Sequence, residues 1–320
     1  MAIATAIASG GGATPLPEAI LEVYSQEIIF QAQPLLRFEQ VASVKEELNV
    51  LPGLTIKFLK YSSLTGSNVL TENVDIVPDA LAASQISIAV GERGKAIGVS
   101  ELLLRSSFDD ILASSAQLLG MHFAKTRDAE IRDTLYTVPG ALYARGRSGR
   151  AAITSSDTFD VDLIRDAVST LATNKAPKFN GDAYICFIHP HQAKFLRRDQ
   201  AWVNAANYGA PDQIFLGEIG RIEDVRFIET TQVRKILSTD GSIYTDNEDT
   251  GVDAGVFSTN ADVYSALIVG DHVIGLAISL EAEMRDDGVK DHGRKHSIAY
   301  YGIWGTGLVE SAHGLVLESA

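Results

Sequence analysis

The spacing of apolar and polar residues changes period several times along the chain, and each change marks an element. Over residues 17–50, Ile20, Val23, Tyr24 and the stretch from Glu27 to Phe30 fall near a helical period until Pro34 interrupts them. Residues 54–100 switch to alternation: Ile56, Phe58 and Lys60 alternate with Thr55, Lys57 and Leu59. Two apolar runs, 86–90 and 96–99, flank Gly91, Glu92, Arg93 and Gly94, which read as a turn. Residues 62–78 are polar and poor in core-forming side chains. The pattern predicts a long two-stranded ribbon with a polar tip, and such a ribbon is marginal unless something packs on it.

The longest helical signal spans residues 108–136, with no proline and Gly120 as its single glycine. Leu112, Ala116, Leu119 and Phe123 share one face, and Asp109 and Asp110 suit the positive end of the helix dipole. At 1.5 Å per residue such a helix extends about 43 Å, the proportions of a strut. Arg145, Arg147 and Arg150 follow in a glycine-containing run that reads as a hydrated basic linker, the alternative being contact with DNA or with an acidic patch on a neighbour. Val161, Ile164, Val168 and Leu171 predict a helix over 160–173, capped by Ser156 or Asp157. A buried strand at 184–188 and a short helix at 191–198, opened by Pro190, indicate a compact α/β module. Downstream, residues 238–254 read as an acidic loop, and apolar segments at 264–269, 273–280 and 296–309 read as strands of one sheet that can pack on the long helix.

Composition narrows the function. With 27 Lys and Arg against 41 Asp and Glu, the 320-residue chain carries a formal charge of -14, which disfavours general attraction to nucleic acid. One cysteine, Cys186, excludes an intrachain disulfide and reads as a buried, inert thiol. No apolar run approaches the ~20 residues needed to cross a bilayer, and the opening residues lack a charged leader, so folding in the cytoplasm and no membrane partner are expected.

Catalytic and ligand motifs are weak throughout. Gly91 to Lys95 is too short for a phosphate loop and has Ala96 where Ser or Thr belongs; Gly10–Gly12 and Gly217–Gly220 match no dinucleotide fingerprint. Strand alternation would put His189 and His191 on the side opposite Cys186, with no further ligands for zinc. Arg285, Asp286, Asp287, Asp291, His292 and His296 read as a solvated turn rather than a calcium loop. No nucleophile elbow is present. The expectation is no catalytic, cofactor or metal residue, no cofactor, and no enzyme.

Three stretches carry a family likeness: Leu70-Thr71-Glu72; Ile188-His189-Pro190 with Gln192 and Ala193; and Phe215-Leu216-Gly217-Glu218-Ile219-Gly220 with Val225-Arg226-Phe227. In their order along the chain, they resemble the major capsid proteins of tailed double-stranded-DNA bacteriophages. The resemblance implies an α+β fold with an N-terminal arm (1–50), an extended β-hairpin loop (51–100), a peripheral domain with a long spine helix and β-sheet (101–154 and 263–320), and an α/β axial domain (155–262) holding Trp202 and the Gly217–Gly220 turn. It implies hexameric and pentameric capsomers of an icosahedral head, a location in the virion after assembly in the host cytoplasm, and double-stranded DNA enclosed without sequence-specific contact. The chain lacks a long charged coiled-coil extension and any mark of a Lys-Asn cross-link, so a separate scaffolding protein is expected, with a portal and a decoration protein as further partners. Lys57, Lys60, Tyr61, Glu92, Arg93 and Lys95, all placed on the projecting ribbon, are the expected contacts between subunits. The competing readings are a cellular nanocompartment shell of the same fold and a soluble α/β hydrolase.

Overall fold

The computed structural model describes residues 37–45, 55–61, 83–107, 111–199, 221–245, 248–252 and 257–320, with 72, 75 and 80 as single residues. The arm residues before Arg37, the ribbon tip, Trp202 and the Gly217–Gly220 turn lie outside them. A 3-10 turn, Phe38–Val41, precedes β1 (Ser43–Lys45), β2 (Thr55–Tyr61), β3 (Ala83–Ala89) and β4 (Gly91–Ser100). Helices α1 (Glu101–Ser106) and α2 (Ile111–Leu135) and strand β5 (Ala141–Tyr143) come next. α3 (Val161–Thr173), β6 (Tyr184–Ile188) and α4 (Pro190–Leu196) lead to β7 (Arg221–Ile222), β8 (Val225–Glu229), β9 (Arg234–Ile236), β10 (Ser242–Thr245) and β11 (Glu248–Val252). β12 (Val263–Val269), β13 (Ile274–Lys290), β14 (Lys295–Leu308) and β15 (Gly314–Ser319) complete the order.

The chain divides into two compact units, one with residues Gly94–His122 and Glu283–Tyr301, the other with Pro34–Arg93, Phe123–Ala282 and Gly302–Ala320. The larger unit is built on a nine-stranded sheet ordered β11-β10-β9-β12-β6-β8-β7, with β15 also on β12 and β5 on β15. Every residue of β12 is buried, because β9 and β6 share one of its edges and β15 takes the other. That position explains its unbroken apolar run, since a strand buried on both faces has no reason to alternate. β6 and β8 are parallel, Cys186 opposite Phe227, and α4 lies in the connection between them, which is the α/β module the sequence predicts. α3 lays Val161, Ile164, Ala167 and Leu171 into a core with Tyr184, Cys186, Ile188, Phe227 and Ile268.

Several expectations change. The strands 264–269, 273–280 and 296–309 do not form one sheet: β12 belongs to the nine-stranded sheet, while β13 and β14 belong to a four-stranded one ordered β1-β13-β14-β4. Gly91 to Gly94 is no turn, because β4 runs straight through it; the ribbon is instead β2 against β3, Thr55 opposite Ala89 and Tyr61 opposite Ala83. Gly94 is there for closeness: a β-carbon on it would sit 2.8 Å from the Tyr300 carbonyl oxygen. β13 also continues to Lys290, so Arg285, Asp286 and Asp287 are strand residues and only 291–294 turn, with Asp291, His292 and Gly293 at positive φ. Part of the acidic stretch 238–254 is likewise ordered as β10 and β11.

Helix caps differ too. Asp160, not Ser156 or Asp157, caps α3, its Oδ1 accepting the Leu163 amide at 3.0 Å. His191 lies inside α4 rather than on a strand, and His189 is the cap of that helix: its Nδ1 accepts the His191 amide at 3.1 Å while Gln192 Oε1 accepts the His189 amide at 3.2 Å. α2 lies within the predicted helix, with Leu119 buried and Leu112, Ala116 and Phe123 half-buried.

Candidate assembly surface

Extended elements need a root, and the ribbon has one. Ile88 and Val90 bury themselves against Ala277, with Phe58 and Ile303 packed alongside. The fit depends on glycines in β13 and β14. A β-carbon on Gly275 would meet the Phe58 ring at 2.7 Å, one on Gly307 would meet Ile88 at 2.9 Å, and one on Gly305 would fall 2.0 Å from the Ala89 carbonyl oxygen. Lys60 on β2 is ion-paired with Glu310, which follows β14. Lys57 is exposed, and Tyr61 is 58% exposed at the last position of β2.

The other three expected contact residues are on β4, not on the ribbon. Glu92 and Lys95 are exposed, and Arg93 Nε lies 3.3 Å from Glu130 Oε1 on α2. Glu130 also accepts the Trp304 indole N–H at 2.9 Å, so the carboxylate ties α2 to β14. β2 thus gathers Lys57, Lys60 and Tyr61, while Glu92, Arg93 and Lys95 belong to another sheet.

A second root holds the segment that begins at Arg37. Asp128 is fully buried on α2 and its carboxylate accepts three successive amides, Arg37 at 3.3 Å, Phe38 at 2.8 Å and Glu39 at 3.1 Å. Burial pushes this carboxyl above its ordinary range and the three amides pull it back part of the way. Phe38 stacks on Phe187 with ring centroids 4.4 Å apart, and Arg127 joins Glu39 to Glu281. β1 then runs parallel to β13, Ser43 opposite Gly275. The sequence signal was a polar residue on a buried stripe: Asp128, Ile131, Arg132 and Leu135 fall at i, i+3, i+4 and i+7, and all are buried.

Within the basic run at 145–150, Arg147 and Arg150 are pinned rather than hydrated, while Arg145 is exposed. Arg147 makes a two-pronged bond to Asp157, at 2.8 and 3.0 Å, and Arg150 reaches Glu318 at 2.9 and 2.5 Å. Burial opposes charge on Asp157, but Arg147 and Thr154 outweigh it and hold the carboxyl below its usual range. Glu318 is buried on β15 and also accepts from Ser265 on β12. A guanidinium fork matches a carboxylate in this geometry, which a local reading of spacing cannot reveal when the partner is 168 residues away.

The residues considered for zinc do a structural task. His189 and His191 both lie against the Tyr264 ring, at 4.7 and 4.6 Å between centroids. Cys186 is buried and its thiol is pushed up by burial alone. Among the described residues no group of three or more His, Cys, Asp or Glu is arranged to hold a metal ion, and no helix is long and apolar enough to cross a membrane.

No curated protein sequence matches the chain. Solved structures do. The capsid of the cyanophage P-SCSP1u superposes with a TM-score of 0.71 at 14% identity, covering 97% of this chain and 95% of that one. The capsid of Ralstonia phage GP4 gives 0.70 at 17% identity over 97% and 98%. The capsid of Helicobacter pylori bacteriophage KHP30 gives 0.69 at 16% identity over 95% and 96%. These likenesses establish a shared fold. The profile of the family described as phage capsid protein matches residues 128–308, from the buried Asp128 of α2 to the end of β14, which is more than half of the chain. The chain therefore belongs to the phage capsid protein family, whose members are structural components of the virion and not enzymes.

Proposed function

We propose that this capsid protein is the repeated wall subunit of a tailed-phage icosahedral head, arranged in hexamers and pentamers around double-stranded DNA. The observation that carries the reading is the family match together with a fold shared over nearly the whole chain. Physical features support it. The β2–β3 ribbon is a two-stranded element fixed at its root, and such an element gains order mainly from what packs on it. Obligate interfaces between subunits often bury about 2,000 Å² or more, enough to order a ribbon and an arm. A net charge of -14 suits a wall that encloses DNA without adhering to it.

In this reading, residues 1–50 are an arm, 51–100 an extension loop, 101–154 and 263–320 a peripheral domain with α2 as its spine, and 155–262 an axial domain. Strands β12 and β15, from the peripheral segments, share a sheet with axial β6 and β9, so the two domains would be fused through hydrogen bonds rather than merely apposed. Lys57, Lys60, Tyr61, Glu92, Arg93 and Lys95 contact neighbouring subunits; Tyr61 is the most exposed large apolar side chain among the described residues of the ribbon, and Lys60 and Arg93 keep partners within the chain as well. A separate scaffolding protein, a portal and a decoration protein complete the head. Negative-stain microscopy and sedimentation of the purified protein, with and without a co-expressed scaffolding candidate, test the reading. Closed shells are expected, and a 34.4 kDa monomer at every concentration in both arms would refute it.

A further inference from the structure

In the smaller unit, hydrophobicity and burial do not match. Its described residues bury just three apolar side chains, Val99, Leu119 and Tyr300. α1 reads Glu-Leu-Leu-Leu-Arg-Ser, and none of its residues is buried. Leu102 is 78% exposed, Leu118 45% and Met284 46%, so three of the five exposed large apolar side chains among the described residues are in this unit. The helix is held at its N-terminal end by polar bonds: Ser100 Oγ accepts the Leu103 amide at 3.2 Å, and the Glu101 amide donates to the Arg294 carbonyl at 3.0 Å. Six residues are too few for a helix to stand on propensity, and helices of this length depend on tertiary packing of an apolar face. Here the leucines supply such a face, and among the described residues it stays incompletely covered, with Leu102 exposed and Leu103 and Leu104 half-buried.

Charge indicates what does. Residues 94–122 and 283–301 hold six basic against seven acidic side chains, a net of -1, although the whole chain carries -14. Several of these charges are matched on the spot: Arg105 with Glu101 at 2.7 Å, Arg285 with Glu283 at 2.6 Å, and Lys290 with Asp287. An apolar centre within matched charges is the composition of a protein interface rim and core. Nucleic acid or an anionic membrane would call for a basic excess. Two copies of an acidic chain repel over most of their surface, and a nearly neutral region is where they approach at least cost.

We propose that α1, together with the Leu118 and Met284 surfaces of the same unit, is covered by a second copy of this chain in the assembled shell. The proposal rests on the wall-subunit reading and specifies a surface that reading leaves open. Amide hydrogen exchange of residues 101–106, compared between dissociated subunits and shells, is the direct test; protection should rise about tenfold or more on assembly. Leu102→Asp alters a side chain exposed in the subunit, so its circular dichroism and melting temperature should equal those of the wild type while its shell yield falls at least about tenfold. Leu102→Met keeps the apolar contact and should assemble normally. If the wild type forms shells with unchanged exchange at 101–106 and L102D assembles as well as it does, this inference falls and the wall-subunit reading stands. If the wild type never assembles, both fall.

Discussion

The carbonyl oxygen of Ala89 occupies the place where a side chain on Gly305 would begin, 2.0 Å from the position of its β-carbon. Backbone fills that space, so no rotamer change relieves the clash. Gly305→Ala should separate β3 from β14 and destabilise the protein by on the order of 1–3 kcal/mol. Urea denaturation measures it, and an unaltered midpoint would show that the ribbon root is not as tight as this distance requires.

Arg150 and Glu318 form a largely desolvated pair, the carboxylate being 1% exposed. Arg150→Met leaves that charge buried without its partner and should cost about 3–5 kcal/mol. Adding Glu318→Leu removes the stranded charge and should recover most of the loss. A double variant no better than the single one would contradict the argument.

Asp128 answers three amides at once. Asp128→Ala leaves those donors buried, at roughly 1–3 kcal/mol, and should loosen the 3-10 turn Phe38–Val41. Limited proteolysis should then cut within residues 37–45 while the rest of the chain stays resistant. Equal resistance of that stretch in wild type and variant would remove the clamp from consideration.

His189 makes stability fall with acid. Burial, then the charges of His191 and Lys235, push its imidazole down from 6.5 to about 4. A group with a depressed folded pKa contributes stability that is intact above the unfolded value and is lost as pH falls through the folded one. The window is therefore pH 6.5 down to about 4. Protonation also removes the Nδ1 lone pair that accepts the His191 amide and sets a positive charge at a helix N-terminus. His189→Asn keeps a capping side chain that does not titrate, so its denaturation midpoints should be flatter across this window. Parallel pH profiles for the two proteins would count against it.

Deleting residues 62–78 shortens the ribbon between β2 and β3. Helix content measured by circular dichroism should be unchanged and shells should be lost; closed shells of normal size would exclude a role for the loop in assembly.

Elements with one dominant period were legible in the sequence. α3 and β6 were placed by apolar spacing, and the interior of α2 by its long unbroken run. Glycine was ambiguous, because Gly94 could mark a reversal or a close approach and only the position of Tyr300 decides which. The outer part of β13 was missed for a different reason: Glu283, Met284, Arg285, Asp286 and Asp287 are all exposed, so both faces read as solvated and no alternation appears. The linker at 145–150 was misread because its acidic partners, Asp157 and Glu318, come from turns and strands that spacing does not connect to it. Family likeness reached the fold, whereas which charges are already matched within one subunit was visible only in three dimensions.

β12 takes hydrogen-bonding partners from residues 185–187, 234–236 and 314–319, and β15 in turn receives 141–143. Strand pairs so distant along the chain demand large loop closures, and they form slowly. During that interval the edges of β12 remain open to strands from other newly made chains as well as to their own. Rapid synthesis at high concentration thus sets intramolecular closure of this strand in a race against misjoining, and cooler expression, which lowers the number of half-closed chains present together, shifts the race toward shells.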